Sequence, residues 1–266
     1  MPPSSPEVTA IAHRGDPVGH RENTLPAFAA ALTLGADMIE LDLRRTRDGT
    51  IVVLHDQSLQ RLWGRDASVG DLDLAEVQRL GHGDVRIPTL RETLDATPAE
   101  LMVDFTRREV VAGALDQVMR ADALERCLFV TGHVEALRLL RGLSGRARIG
   151  LTWTEGTDPP LSLLAELGAE YWNPMSTFVT ADGVAAVHAA GRRVSTWTAD
   201  AVADMARVVA DGVDAVASNR VGELVAFLAR EGSDRRVRPS GRRARSSGGA
   251  GCARRRSGPG PCGCGD

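Results

Sequence analysis

The chain of 266 residues contains no lysine, so all 32 of its basic residues are arginine. With alanine, glycine and valine also prominent, this bias reads as a GC-rich coding sequence and hence a bacterial source. It bears on codons and not on chemistry. Cysteine is scarce. Cys252, Cys262 and Cys264 lie near the C-terminus, and only Cys127 falls in the body of the chain. There the strand-like run Cys127-Leu128-Phe129-Val130 makes it a small buried hydrophobe. A lone body cysteine excludes a disulfide framework and fits a reducing, cytoplasmic compartment. No apolar run approaches the ~20 residues needed to cross a bilayer. Met1 to Thr9 has neither a basic nor an apolar stretch, so it does not read as a secretory signal.

What is present is an ordinary globular mixture, 43% hydrophobic and 25% charged, with a formal net charge of −3. It suits one large α/β domain or two small ones. The charge is uneven. From residue 231 onward there are nine arginines against three acids, +6, whereas residues 1–230 hold 23 arginines against 32 acids, −9. The segment 231–266 is rich in Arg, Gly, Ser and Pro, with almost no large apolar residue beyond Val237, and is expected to be disordered. The folded domain is therefore expected to span 1–230. The tail has no aromatic residue to stack on a base and hangs from an acidic body, which argues against a nucleic-acid partner. Its cysteines lack histidine neighbours and CxxC spacing, which argues against zinc.

Short apolar runs alternate with amphipathic stretches over residues 9–230. The spacing predicts strands at Thr9–His13, Met38–Leu43, Leu101–Thr106, Cys127–Thr131, Ala147–Trp153, Tyr171–Pro174, Arg193–Thr198 and Val213–Ser218. Helices are predicted between most of them: Asn23–Leu34, Glu109–Ala121, Val134–Leu143, Leu161–Leu167, Thr180–Ala190 and Val202–Ala210. In the first, Asn23 or Thr24 can cap, Pro26 sits in the first turn and Gly35 stops the helix. Eight strands in strict alternation over about 220 residues have the count and size of a TIM (β/α)₈ barrel. A further strand, Ile51–Leu54, follows the turn Asp48-Gly49 and reads as a hairpin that opens an insertion over about 50–83. A doubly wound sheet shares this alternation.

The chemistry gathers at strand ends. In Met38-Ile39-Glu40-Leu41-Asp42-Leu43, alternation puts Glu40 and Asp42 on one face. In a barrel both faces are covered, so two neighbouring carboxylates call for a bound cation, unless this is an exposed edge strand. Asp104 and Thr106 share a face of the next predicted barrel strand, so Asp104 can point into the same mouth. Three carboxylates without cysteine make a hard oxygen site for one divalent cation, Mg²⁺ or Ca²⁺. His13 and His55 both arrive where strands end, and imidazoles suit proton removal and delivery near neutral pH. Arg14 is a fixed cation suited to phosphate, and Gly15 allows a tight turn beside it. His20, His82, His133 and His188 are read as structural.

These motifs resemble the glycerophosphodiester phosphodiesterases. The resemblance rests on His13-Arg14-Gly15, Glu22-Asn23-Thr24-Leu25, Gly35 to Asp42, Thr46-Arg47-Asp48-Gly49 and His55-Asp56, followed by Ile87-Pro88-Thr89-Leu90 with Glu92. Thr196-Trp197-Thr198, Gly212-Val213-Asp214 and Ser218-Asn219 resemble the family's last two strands. The resemblance implies a TIM barrel with a single divalent metal that splits glycerophosphodiesters into sn-glycerol 3-phosphate and an alcohol. It implies catalytic roles for His13 and His55, phosphate binding by Arg14, metal ligation by Glu40 and Asp42, and a pocket-lining Trp197. Glu22 is expected to orient Arg14 or sit near the metal.

The chain departs from the family where Glu-x-Lys is usual and Asp104-Phe105-Thr106 stands. Aspartate is one methylene shorter, so it would ligate through water or draw the ion toward its own strand. Threonine supplies no charge, which leaves Arg14, with Arg107 or Arg108 beside it, to balance the phosphate. Two alternatives accompany this reading. One is a phospholipase-D-like enzyme of the same fold acting on lysophospholipids or sphingomyelin, disfavoured by the lack of an amphipathic membrane helix. The other is a non-catalytic barrel that binds phosphodiesters. No stable membrane insertion is expected, and the sequence fixes no oligomeric state.

Overall fold

In a computed structural model of the chain, residues 8–237 are described, apart from 106 and 157, with side chains as far as residue 232. Eight parallel strands close into a ring in the order β1 (Thr9–His13), β2 (Met38–Arg45), β4 (Glu100–Phe105), β5 (Cys127–Thr131), β6 (Arg148–Trp153), β7 (Tyr171–Pro174), β8 (Arg193–Thr196) and β9 (Ala215–Ser218). Pairing of β1 with both β2 and β9 completes the ring. The ninth strand, β3 (Ile51–Val53), lies antiparallel on the upper part of β2, with Leu43 opposite Val53. The fold is thus the TIM barrel expected, with its hairpin.

Strand alternation divides the core in two. Ile39, Leu41 and Leu43 of β2 face outward and join Val103, Phe105, Phe129 and Trp172 against the helices. Ile11, Met38, Met102, Leu128, Val130 and Tyr171 fill the interior. The insertion has a small core of its own, Val52, Leu54, Leu59, Trp63, Val69, Leu72, Val77 and Ile87, so it extends a few residues beyond the expected end at 83. A capping box between Thr89 and Glu92 then opens the helix Leu90–Ala96.

The first helix, Leu25–Thr33, is capped by Thr24, whose hydroxyl accepts from Ala27 N–H. Gly35, at φ +93°, ends it. At the other end of the chain the helix Val221–Val237 runs past the expected boundary at 230. Ala229, Arg230 and Glu231 are good helix formers, the single Gly232 costs only ~1 kcal/mol, and no proline occurs before Pro239. The remainder of the tail, 238–266, with its three cysteines, lies outside the described residues.

Candidate active site

Register builds the site. His13, the last residue of β1, pairs with Glu40, and Asp42 pairs with Asp104 across β2 and β4. Side chains on the inner face of three adjacent strands therefore meet at the C-terminal mouth of the barrel, where such folds place their chemistry. Carboxylate oxygens, one each from Glu40, Asp42 and Asp104, lie within 4.8 Å of one another. Burial, followed by the neighbouring Asp42 and Asp104 charges, pushes the Glu40 carboxyl well above the usual range. Burial and then Asp42 push Asp104 up to about 8. A bound cation would favour the charged forms of Glu40 and Asp104, and hard oxygen donors at this spacing fit a metal ion.

The turn after β1 wraps around this cluster. Arg14, at φ +62°, donates its main-chain N–H to Glu40 Oε2 (3.0 Å). Its Nη1 donates to Glu22 Oε1 at 3.0 Å, while Nε lies 3.3 Å from Asp42 Oδ2. That Nε is buried, and its N–H finds no acceptor in good geometry. Gly15 takes φ +85°, and a Cβ there would stand 2.8 Å from the Ala27 carbonyl carbon, so the turn requires glycine. Asn23 does not cap the helix. It is buried at φ +57° and donates from Nδ2 to Asp42 Oδ2 at 2.8 Å. The capping explanation covers Thr24 alone, and Asn23 is a support of the acidic cluster.

Each site histidine has one ring nitrogen committed. His13 Nδ1 meets Asn219 Oδ1 at 2.8 Å, and Asn219 Nδ2 donates to Asp200 Oδ2 at 2.8 Å. The Asp200 carboxylate orients the amide, so Nδ1 carries the hydrogen and Nε2 is free, 3.8 Å from Glu40. Burial, reinforced by the Arg14 charge, holds the His13 pKa below its ordinary value. His55 Nδ1 meets Asp56 Oδ1 at 2.7 Å. Asp56 is held down to about 2, chiefly by its hydrogen bond from Arg61, so it is an acceptor and His55 Nε2 is also free. Arg44 Nε fastens the His55 carbonyl at 2.9 Å.

These groups open onto a cavity of about 420 Å³. One side is charged, formed by His13, Arg14, Glu40, Asp42, His55 and Asp104; the other presents Thr131, His133, Thr152, Thr154, Asn173 and Trp197. The structure thus brings together all seven residues singled out for the site. It also brings in His133, which the sequence reading set aside. His20 pairs with Asp16 and His188 with Asp214, in agreement with structural roles. Arg107 does not reach the cavity; it is exposed and bonds Gln57 at 3.0 Å. Arg108 is exposed as well and does not line the cavity. Thr106 lies outside the described residues. Asn23, Asp200 and Asn219 were not legible as site residues because their roles depend on backbone handedness and on contacts across the barrel.

A closed barrel with a buried acidic triad, two half-free imidazoles and a guanidinium at its mouth defines a hydrolase of phosphate esters by class. Residues 13–223 match the glycerophosphoryl diester phosphodiesterase family, and the chain belongs to it. It is 28% identical over 238 residues to a glycerophosphodiester phosphodiesterase of Caldanaerobacter subterraneus subsp. tengcongensis, covering 84% of this chain and 98% of that one. It is 31% identical to a probable glycerophosphodiester phosphodiesterase 2 of Mycobacterium tuberculosis, covering 81% and 88%. Among solved structures, an Oleispira antarctica phosphodiesterase in complex with the product sn-glycerol-3-phosphate superposes with a TM-score of 0.77 at 23% identity, covering 83% and 96%.

Proposed function

We propose that this protein is a metal-dependent phosphodiesterase that releases sn-glycerol 3-phosphate and an alcohol from glycerophosphodiesters. The observation that supports it most directly is the meeting of the Glu40, Asp42 and Asp104 carboxylates beside His13, His55 and Arg14 in one cavity. The triad would hold Mg²⁺ or Ca²⁺, which when bound neutralises charge on a phosphate oxygen and acidifies a ligated hydroxyl or water. Arg14, which lines the cavity, supplies a fixed positive charge to a non-bridging phosphate oxygen. One histidine removes the nucleophile's proton through its free Nε2, and the other delivers a proton to the leaving alcohol. Trp197, whose indole N–H is anchored on Asn173 O at 3.2 Å, presents a fixed wall to the substrate. Cys127, buried and unpaired, supports a reducing compartment such as the cytoplasm. Among the described residues no helix is long and apolar enough to cross a membrane.

Replacing either histidine by alanine is expected to lower kcat by roughly 10²–10⁴-fold. Near-normal turnover by His13→Ala or His55→Ala would remove this mechanism. Turnover confined to micellar lysophospholipid, with none on soluble diesters, would move the substrate class to lipids.

A further inference from the structure

Behind two of the reacting groups, His55 and Arg14, the rim carries a linked set of charges. His55, Asp56, Arg61, Glu22 and Arg14 form an unbroken chain of alternating charged and hydrogen-bonding groups, with Arg61 at its centre. Arg61 stands on the short helix Gln60–Trp63 of the insertion. Its Nε donates to Asp56 Oδ2 at 2.5 Å, Nη2 to Glu22 Oε1 at 2.6 Å and Nη1 to Glu22 Oε2 at 3.1 Å. The other oxygen of Asp56 takes the His55 ring, and Glu22 Oε1 also accepts from Arg14. All three guanidinium nitrogens are thus spent on two carboxylates, neither of which belongs to the acidic triad.

The Arg61 side chain is about half exposed, at 49%. Ion pairs of that exposure add little to stability, so the fold has little need of this one. The chemistry has more. Asp56 has the freedom of a short side chain at a loop end, and Arg61 fixes which oxygen faces the imidazole. Glu22, without Arg61, keeps Arg14 as its sole cationic partner and draws that guanidinium away from the phosphate position. Resting on the hydrolase reading above, we infer that Arg61 is a positioning residue that sets both halves of the site. Through Asp56 it orients His55, and through Glu22 it leaves Arg14 available to substrate. Arg61 reaches the two carboxylates from three nitrogens of one planar fork, a spread that the single nitrogen of a lysine does not reproduce.

The test is steady-state kinetics on glycerophosphocholine with Mg²⁺, beside calorimetric binding of sn-glycerol 3-phosphate. Arg61→Ala is expected to raise KM by about 10-fold and to lower kcat by about 10–100-fold, as misplaced groups do. Adding Glu22→Gln to Arg61→Ala should return KM and product affinity toward wild type while kcat stays low. Arg61→Lys should fall between. A merely structural role lowers the active fraction, leaving KM unchanged and the double variant no better. That pattern, or an Arg61→Ala protein within twofold of wild type, would overturn the inference. An inactive wild-type protein would count against the hydrolase reading instead, and product affinities in the same variants would still decide for or against Arg61.

Discussion

Asp42 faces Asn23 Nδ2 at 2.8 Å and Arg14 Nε at 3.3 Å. Groups that orient a ligand are often worth 10–100-fold in metal affinity, so Asn23→Gly, which keeps the left-handed backbone, should weaken Ca²⁺ or Mg²⁺ binding by about that factor. Unchanged affinity in a metal titration would assign Asn23 to the turn alone. Asp104 makes a second prediction. With its carboxyl pushed up to about 8, it is largely protonated at pH 7 in the metal-free protein, so metal uptake should release on the order of one proton. Calorimetry in buffers of different ionisation heat measures that release, and a buffer-independent heat would contradict it. The same shift sets a stability trend. Glu40 and Asp104 bind protons more tightly folded than unfolded, so the metal-free protein should lose stability as pH rises from about 4 to about 8. Bound metal should reverse that loss.

At the scale of elements, the helix Leu90–Ala96 after the insertion is set by Thr89 and Glu92, with Arg86 closing on the Glu92 carboxylate at 2.7 Å. Those bonds, that of Arg86 first, hold Glu92 down to about 2. A depressed carboxylate stabilises the fold above its ordinary pKa and ceases to as pH falls toward the depressed value. Glu92→Gln should therefore be less stable than wild type in urea at pH 7, and the two should converge near pH 2–3. A gap independent of pH would contradict this account. The elements themselves were largely legible, because short apolar runs and well-marked caps state period and boundary locally. Glu40 and Asp42 were legible for the same reason: alternation alone places them together, and a covered barrel leaves them no water. Asn23 was not, since a left-handed asparagine one residue before a capping threonine looks like a cap itself. His133 was missed because a histidine's exposure to a cavity depends on where the loop after β5 lies relative to β6 and β7.

For the whole molecule, the last helix makes its core contacts early. Val221, Leu224 and Phe227 are buried, and Leu228 packs against the same cluster. Removing residues 238–266 should leave both the melting temperature and turnover unchanged, and a large loss of either would give the arginine-rich tail a role that the barrel does not reveal. The closed ring also brings positive charge to the mouth without a lysine at residue 106. Arg14 comes from the turn after β1 and Arg44 from β2, so positive charge reaches the acidic cluster from two segments other than β4. The measurement that bears most directly on the central claim is release of sn-glycerol 3-phosphate from glycerophosphocholine and glycerophosphoethanolamine, with Mg²⁺, with Ca²⁺ and with chelator, beside His13→Ala. Turnover that needs a divalent metal and vanishes in the variant is the result expected. Turnover indifferent to chelator, or none with either metal, would contradict it.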